Sequence, residues 1–423
     1  MNQATKTIQN TAATGQNLTR RTLPYPQLQE VHNLTGLPSL KFMDMGGGRK
    51  FFDVVVVKAS FDLADGIAQL SENQTAVCLA DDLWQDEDAN SKRAPEYSSL
   101  KAAGDTVLFK PLTDVYVTGT VRSFQNKPQT SWNGSLYVRQ GKGVLINKTL
   151  RFTGPRQWRH TSANMWKLTS ASATTHVPLR YELAYGGYYI NVKAKETAEP
   201  VIEVFEPNPS GSGFFGPADG LFSFGNGSPL ALHQRDQTYV GPQIDWPNDR
   251  ISTNTDINFK NYRPAGWGPI ARWWSPRVER QGSYDAAWHQ DFEQNTYGYA
   301  DYPKDFDCSY FNCAPADQMI KGALNGALQG DEFIELEGVF SDKQAVSVQL
   351  PGWKLTVDLF NHEGKRLTDN MRLDTIHVDL DTQQLHATWR LTLGHERRIS
   401  ACIIVWADSK VKCNTCPQSK VSR

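Results

Sequence analysis

Two carboxylates one residue apart, Asp305 and Asp307 in the run DYPKDFDCSYFNCAPADQ, are the first side chains in this sequence whose spacing invites chemistry. On an extended backbone, positions i and i+2 project to the same side, so the pair could serve as the acid and base of glycoside cleavage. Trp267, Trp273, Trp274 and Trp288 lie just upstream and, at a surface, would stack on sugar rings. The plainer alternative is that acidic side chains in irregular segments accept hydrogen bonds from nearby backbone amides and hold turns. Spacing alone does not choose between the two, because glycoside hydrolysis depends on the separation of the carboxyl groups in space.

Gly211-Ser212-Gly213-Phe214-Phe215-Gly216 spells G-x-G-x-x-G, which in a dinucleotide site leads into a helix whose N-terminus holds pyrophosphate. Here Pro209 precedes the glycines, Pro217 follows them and no helical pattern succeeds, so the run reads as a structural glycine-rich loop and no cofactor is expected. Tyr185-Gly186-Gly187-Tyr188 joins rings to a backbone that another chain can approach closely, either as a strand corner or as a peptide-docking groove. Cys413 and Cys416 have the spacing of half a metal knuckle, but a zinc site needs a second pair, so they read as two thiols. The nine histidines include no i,i+4 pair and the chain has no G-x-S-x-G, so it does not read as an enzyme.

With 423 residues, 39% of them hydrophobic and 21% charged, the chain can bury a substantial core. A formal net charge of -1 does not concentrate nucleic acid or anionic lipid. No apolar run approaches the roughly 18 residues of a membrane helix, and Met1 to Leu23 lack a leader's apolar region, so a cytoplasmic location is expected. Six cysteines are too few for a disulfide framework in a chain of this length.

The elements that must position these side chains read as mainly β: antiparallel sheets, sandwich-like, with long ordered loops and one or two short helices. Phe51 to Val57 is an unbroken β-branched and aromatic run that predicts a strand covered on both faces, continued by Lys58 to Leu63. Further strands are predicted at Thr106 to Phe109, Val115 to Val121, Gly134 to Arg139, Val144 to Phe152, Pro178 to Ala184 and Pro200 to Phe205. Near the C-terminus Val346 and Val348, then Leu355, Val357 and Leu359, alternate with polar neighbours. Ile376 to Leu380 and Leu385 to Leu393 predict a hairpin about Asp381-Thr382 with one face in water. Only Ala316 to Leu328 offers helical spacing, weakened by Gly322 and Gly326. The expected organisation is a tail at 1–36, an N-terminal β domain at 37–265, an aromatic loop and helical connector at 266–330, a C-terminal β domain at 331–408 and a second tail at 409–423.

The blocks VVVVKASFDL (Val54 to Leu63), FKPLTDVYVTG (Phe109 to Gly119), PLRYELAYGG (Pro178 to Gly187) and NPSGSGF (Asn208 to Phe214) stand in an order that resembles a bacterial adaptor family of type VI secretion. PAGWGPIARWWSPR, GSYDAAW, DFDCSYFNCAPADQ and the LPG at Leu350 to Gly352 continue the resemblance, which runs from about Pro38 to Val405. The chain departs from that family's pattern at Trp267, where Phe is common, and at Cys308 and Cys313. The resemblance implies a non-enzymatic adaptor or chaperone that binds a secretion effector through its N-terminal region, or a PAAR protein, and promotes loading on the VgrG spike. Tyr185, Tyr188, Trp267, Trp273, Trp274, Asp305 and Asp307 are the candidate partner-binding residues, and a carbohydrate-binding or carbohydrate-cleaving β-protein using Asp305, Asp307 and exposed tryptophans is the alternative.

Overall fold

An apolar strand without alternation must lie inside a sheet that is covered on both sides, and the run Phe51–Val57 does so. The computed structural model describes residues 27–47, 50–84, 95–162, 165–191, 201–215, 221–223, 229–230, 239–253, 257, 261–296, 301–321 and 328–407. In it strand Lys50–Asp62 sits between Ser39–Gly46 and Gln384–Gly394, antiparallel to both. The sheet continues through Arg372–Asp379 and Thr113–Thr118 to the short edge strand Met319–Ile320. Thr113–Thr118 runs parallel to Arg372–Asp379. The hairpin predicted around Asp381 is therefore present, at the middle of this central sheet.

A second sheet orders Ile244–Asp245, Gly143–Thr153, Ser131–Gln140, Phe333–Glu337, Ala345–Gln349 and Gly66–Ile67. A third orders Glu30–Asn33, Ile399–Trp406, Leu355–Asn361 and Arg366–Asn370. Inward positions of all three sheets, among them Val57, Val138, Ile334, Val357 and Ile404, meet in one apolar cluster. Strands from the expected N- and C-terminal domains interleave in the first two sheets, so the boundaries at 265 and 331 do not divide the sheets. Residues 27–36, expected within the N-terminal tail, are docked: Leu28 is fully buried and Glu30–Asn33 pairs in parallel with Ile399–Trp406. The remaining tail residues, 1–26 and 409–423 with Cys413 and Cys416, lie outside the described residues.

Three expected elements differ. Thr106 to Phe109 forms no strand, because its stretch spends backbone acceptors on side chains: Arg390 takes the carbonyls of Asp105 and Val107, and Thr392 that of Leu108. The Pro178 to Ala184 stretch breaks at a 3₁₀ turn, Tyr181–Leu183, where buried Glu182 accepts from the Ser99 amide and hydroxyl. The helix expected from Ala316 is one 3₁₀ turn, Ala316–Gln318, followed by the edge strand, while residues 322–327 lie outside the described residues. No helix among the described residues is long and apolar enough to cross a membrane.

The alternation in Arg372–Asp379 and Gln384–Gly394 predicts one wet face, yet both faces are dry. Lys58, Asp114, Thr375, His386 and Arg390 all lie buried on the polar side. Two irregular segments cover them. Asp105 pairs with Lys58 at 3.2 Å, while Arg390 donates to Asp374 at 2.7 Å within the sheet. Asp114 receives the Lys110 ammonium at 2.8 Å, the amides of Cys313 and Ala314, and the Asn312 side chain. Burying such groups costs several kcal/mol each unless every one finds a partner. The loops are therefore ordered by hydrogen-bond demand from beneath.

Candidate binding cleft

Trp267 is held from both sides of its peptide: the Val117 amide and the Gln318 side chain both donate to its carbonyl, at 3.1 and 3.0 Å. Its ring is fully buried, edge-on to Phe152 with centroids 5.5 Å apart. Gly266 beside it leaves room for Tyr181, since a Cβ there would come within 2.5 Å of the Tyr181 ring. The indole nitrogens of Trp273 and Trp274 both donate to the Glu96 carbonyl, at 3.1 and 3.2 Å. Trp274 is buried against Tyr181, while Trp273 is half-buried. Arg277, on the short helix Ser275–Val278, clamps the next loop by donating to the carbonyls of Ile270 and Tyr310.

Four of the expected contact residues thus turn inward. Tyr185 is fully buried, edge-on to Phe205 and Tyr262, and Tyr188 is buried against Tyr97 with rings stacked at 4.3 Å. With Trp267 and Trp274 they build the scaffold, which corrects their placement on a surface. The reason is packing: each ring closes a contact between segments far apart in sequence, where large aromatic areas are worth most. The two glycine motifs also meet each other. Buried Asn208 donates to the carbonyls of Tyr181 and Tyr185, and a Cβ on Gly186, at φ +155°, would lie 2.1 Å from the Asn208 carbonyl oxygen. Gly211 to Gly213 and the Tyr-Gly-Gly run therefore form a strand corner, as Tyr185–Gly186 pairs with Ser212–Gly213, while Gly216 lies outside the described residues.

Asp305 and Asp307 reach solvent, and both hold turns. Asp305 accepts from the Ser283 amide and hydroxyl, and those bonds keep its carboxyl below the usual range. Asp307 accepts from the Ser309 amide at 2.8 Å as the cap of the turn Cys308–Phe311, which likewise lowers its pKa. Asp285 plays the same part for the helix Ala286–Asp291 through the Trp288 amide. The plainer sequence expectation for these acids describes their contacts. Cys78, Cys308, Cys313 and Cys402 are all free thiols, and burial beside Asp114 pushes the Cys313 thiol up to about 12.

What the tryptophan-rich segment builds is a cleft of about 210 Å³ against strand Gly143–Thr153. Tyr181, Ile270 and Met319 with Pro264, Pro276 and Pro315 give it apolar walls. Lys148 is buried on its floor with Arg277, donating to Asp317 at 2.9 Å and to Gln318 at 2.7 Å, with the Trp246 ring 5.3 Å away. Burial lowers the Lys148 pKa to about 8 against the pull of Asp317, and the neighbouring Arg263 pushes the same way as burial. Lys148 was legible as an anomaly: it occupies the inward register of its strand, between Ile146 and Leu150, where an apolar residue is expected. Trp246, Tyr262 and Arg263 carried no comparable signal, because irregular backbone brings them to the rim. At about 210 Å³ the cleft falls below the usual volume of a small-molecule site and has room for a side chain or two.

The family described as "Uncharacterized protein conserved in bacteria (DUF2169)" matches residues 49–390, which takes in the central sheet except its edge strand Ser39–Gly46 and the last residues of Gln384–Gly394, together with the glycine corner and the whole cleft segment. The chain belongs to this family. Neither a curated protein nor a solved structure matches it. Within the DUF2169 match lie all the cleft residues named above, whereas the third sheet is completed by strands outside it, Glu30–Asn33 and Ile399–Trp406.

Proposed function

We propose that this DUF2169 protein is a non-enzymatic adaptor or chaperone that binds a type VI secretion effector, or a PAAR protein, in the cytoplasm and promotes its loading on a VgrG spike. The observation that carries this reading is the cleft. A long irregular segment is held rigid by buried tryptophans and by Arg277, and presents apolar walls with cationic groups rather than a nucleophile set against a base. Ordered rings and prolines on a fixed scaffold bind a partner without an entropic penalty for ordering the receptor. Three of the blocks that resemble the secretion adaptors, PLRYELAYGG, PAGWGPIARWWSPR and DFDCSYFNCAPADQ, contribute residues to the cleft wall. Glycoside chemistry is the weaker reading, since Asp305 and Asp307 are engaged with backbone amides and Trp267 and Trp274 are internal.

Affinity purification from the native cell after a salt wash tests the proposal. Recovery of a PAAR, VgrG or toxin protein in stoichiometric amount, stabilised against proteolysis by the adaptor, is the expected result. Recovery of none, with binding to glycans instead, would overturn it.

A further inference from the structure

Among the side chains on the cleft wall, four cations, Lys148, Arg263, Arg277 and Arg280, stand against two carboxylates, Glu279 and Asp317. Three of the cations are committed. Arg277 is spent on the Ile270 and Tyr310 carbonyls, Arg280 on the Ser309 carbonyl and the Met319 sulfur, and Lys148 on Asp317 and Gln318. The exposed Arg263 has no hydrogen bond or ion pair from its guanidinium among the described residues. An ammonium carries three donors, and Lys148 uses two, so one remains for a further acceptor. The cleft therefore has an excess of positive charge, an unused bidentate donor at its rim and a spare donor at its buried end, beside proline and aromatic walls.

Resting on the adaptor reading, we propose that the cleft takes an acidic residue of the partner polypeptide, its carboxylate received by Arg263 and Lys148 and an adjoining apolar side chain seated on the Tyr181, Ile270 and Met319 wall. Arg presents its planar fork to a carboxylate in two-point fashion, which gives the site orientation as well as charge. The occupant is another molecule rather than this chain's own ends, because both are basic: Lys6, Arg20 and Arg21 in the first 26 residues stand without a carboxylate, and Lys410, Lys412, Lys420 and Arg423 outnumber Asp408 in the last 16. An extended nucleic acid is disfavoured by the overall charge of -1 and by apolar walls that offer no basic stripe. A carboxylate arriving beside Lys148 favours its charged form, so binding takes up a proton where the free lysine, at about 8, is partly neutral.

The test uses the full chain and short overlapping peptides that tile the proteins encoded beside its gene, each acidic peptide paired with its Asn or Gln counterpart, read by fluorescence anisotropy. Binding is expected from peptides that place a carboxylate next to an apolar residue, to be lost in the amide counterparts, and to weaken as pH rises past about 8. Arg263→Glu, a change at an exposed position whose circular dichroism and melting should match the wild type, should weaken binding at least about ten-fold. Equal affinity for acid and amide peptides, or an undiminished affinity in Arg263→Glu, overturns the inference. If the intact cargo still copurifies with Arg263→Glu as with the wild type, the adaptor reading stands and this site falls; if nothing binds either protein, both fall. Displacement of the peptides by millimolar inorganic phosphate alone, with no preference for carboxylate, would mark a free-anion site and also overturn the proposal.

Discussion

One face of the central sheet presents Val57, Ala59, Val117, Leu385 and Leu391 to the main core, and the other presents Lys58, Asp114, His386 and Arg390 to two irregular segments; neither meets water. The apolar face makes a demand of volume. Many coverings meet it, since hydrophobic packing is non-directional and tolerates rearrangement at moderate cost. The polar face makes a demand of pairing, met only by segments whose donors and acceptors match, such as the Asn312, Cys313 and Ala314 donors over Asp114. The first face holds the molecule together; the second dictates which loops lie where. Because residues 312–314 open directly into Pro315, Ala316 and Asp317 on the cleft wall, the polar face also sets the position of the cleft.

The comparison breaks most directly at Asp114. Replacing it by Ala leaves the buried Lys110 ammonium without its counter-charge and removes the acceptor of four other donors, and should cost about 3–5 kcal/mol in urea denaturation; a loss under about 1 kcal/mol would show that the polar face is not holding its loops. Burial alone would raise the Asp114 carboxyl and lower Lys110, yet their contact reverses both shifts, so the pair is ionised. On the opposite face Leu385→Ala removes a fully buried side chain and should cost roughly 3 kcal/mol, with the cleft peptides still bound at unchanged affinity. Loss of peptide binding in that variant as severe as in Asp114→Ala would erase the distinction between the faces.

Of the two faces of the central sheet, the polar one should respond to acid. Burial, aided by Lys58, lowers His386 from 6.5 to about 4, and His377, stacked on Tyr116, lies well below its ordinary value for the same reason and because of His386. The unfolded chain binds the proton first, so the contribution of His386 is fully present above pH 6.5 and is lost as pH falls toward about 4. The shift corresponds to about 3 kcal/mol. Stability measured across that window should fall more steeply in the wild type than in His386→Gln; parallel curves would remove the histidine from the account. The smallest effect is expected at Asp305→Ala, whose carboxylate is exposed: its melting temperature should stay near that of the wild type, and glycan binding should be absent from both. A glycan bound by the wild type and lost in this variant would revive the carbohydrate reading.

How much was legible follows the same division. Phe51–Val57, the hairpin at 376–393 and the alternation at 355–359 are signals of apolar burial, and the sheets carry them as predicted. The polar alternation in Gln384–Gly394 looks identical whether it faces water or a matched loop, so the second buried face had no signature. Thr106 to Phe109 had strand composition but lost its acceptors to Arg390 and Thr392, residues nearly 300 positions away. At the site, composition marked the tryptophan-rich segment as folded, and rightly, but aromatic residues of one kind serve as both anchors and contacts. Trp267 and Trp273 differ only in what tertiary structure puts over them. Lys148 was missed, although its place in an apolar register between Ile146 and Leu150 was a signal that could have found it.

Strand Lys50–Asp62 obtains its first neighbour, Ser39–Gly46, from the adjacent sequence, but its second, Gln384–Gly394, from near the other end of the chain. On a ribosome adding about 5–20 residues each second, that second neighbour emerges on the order of tens of seconds later. Through that interval FFDVVVV is an open hydrophobic edge of the kind that seeds aggregation. A chain truncated before Gln384 lacks that second neighbour altogether, and is expected to partition into the insoluble fraction where the full chain stays in solution.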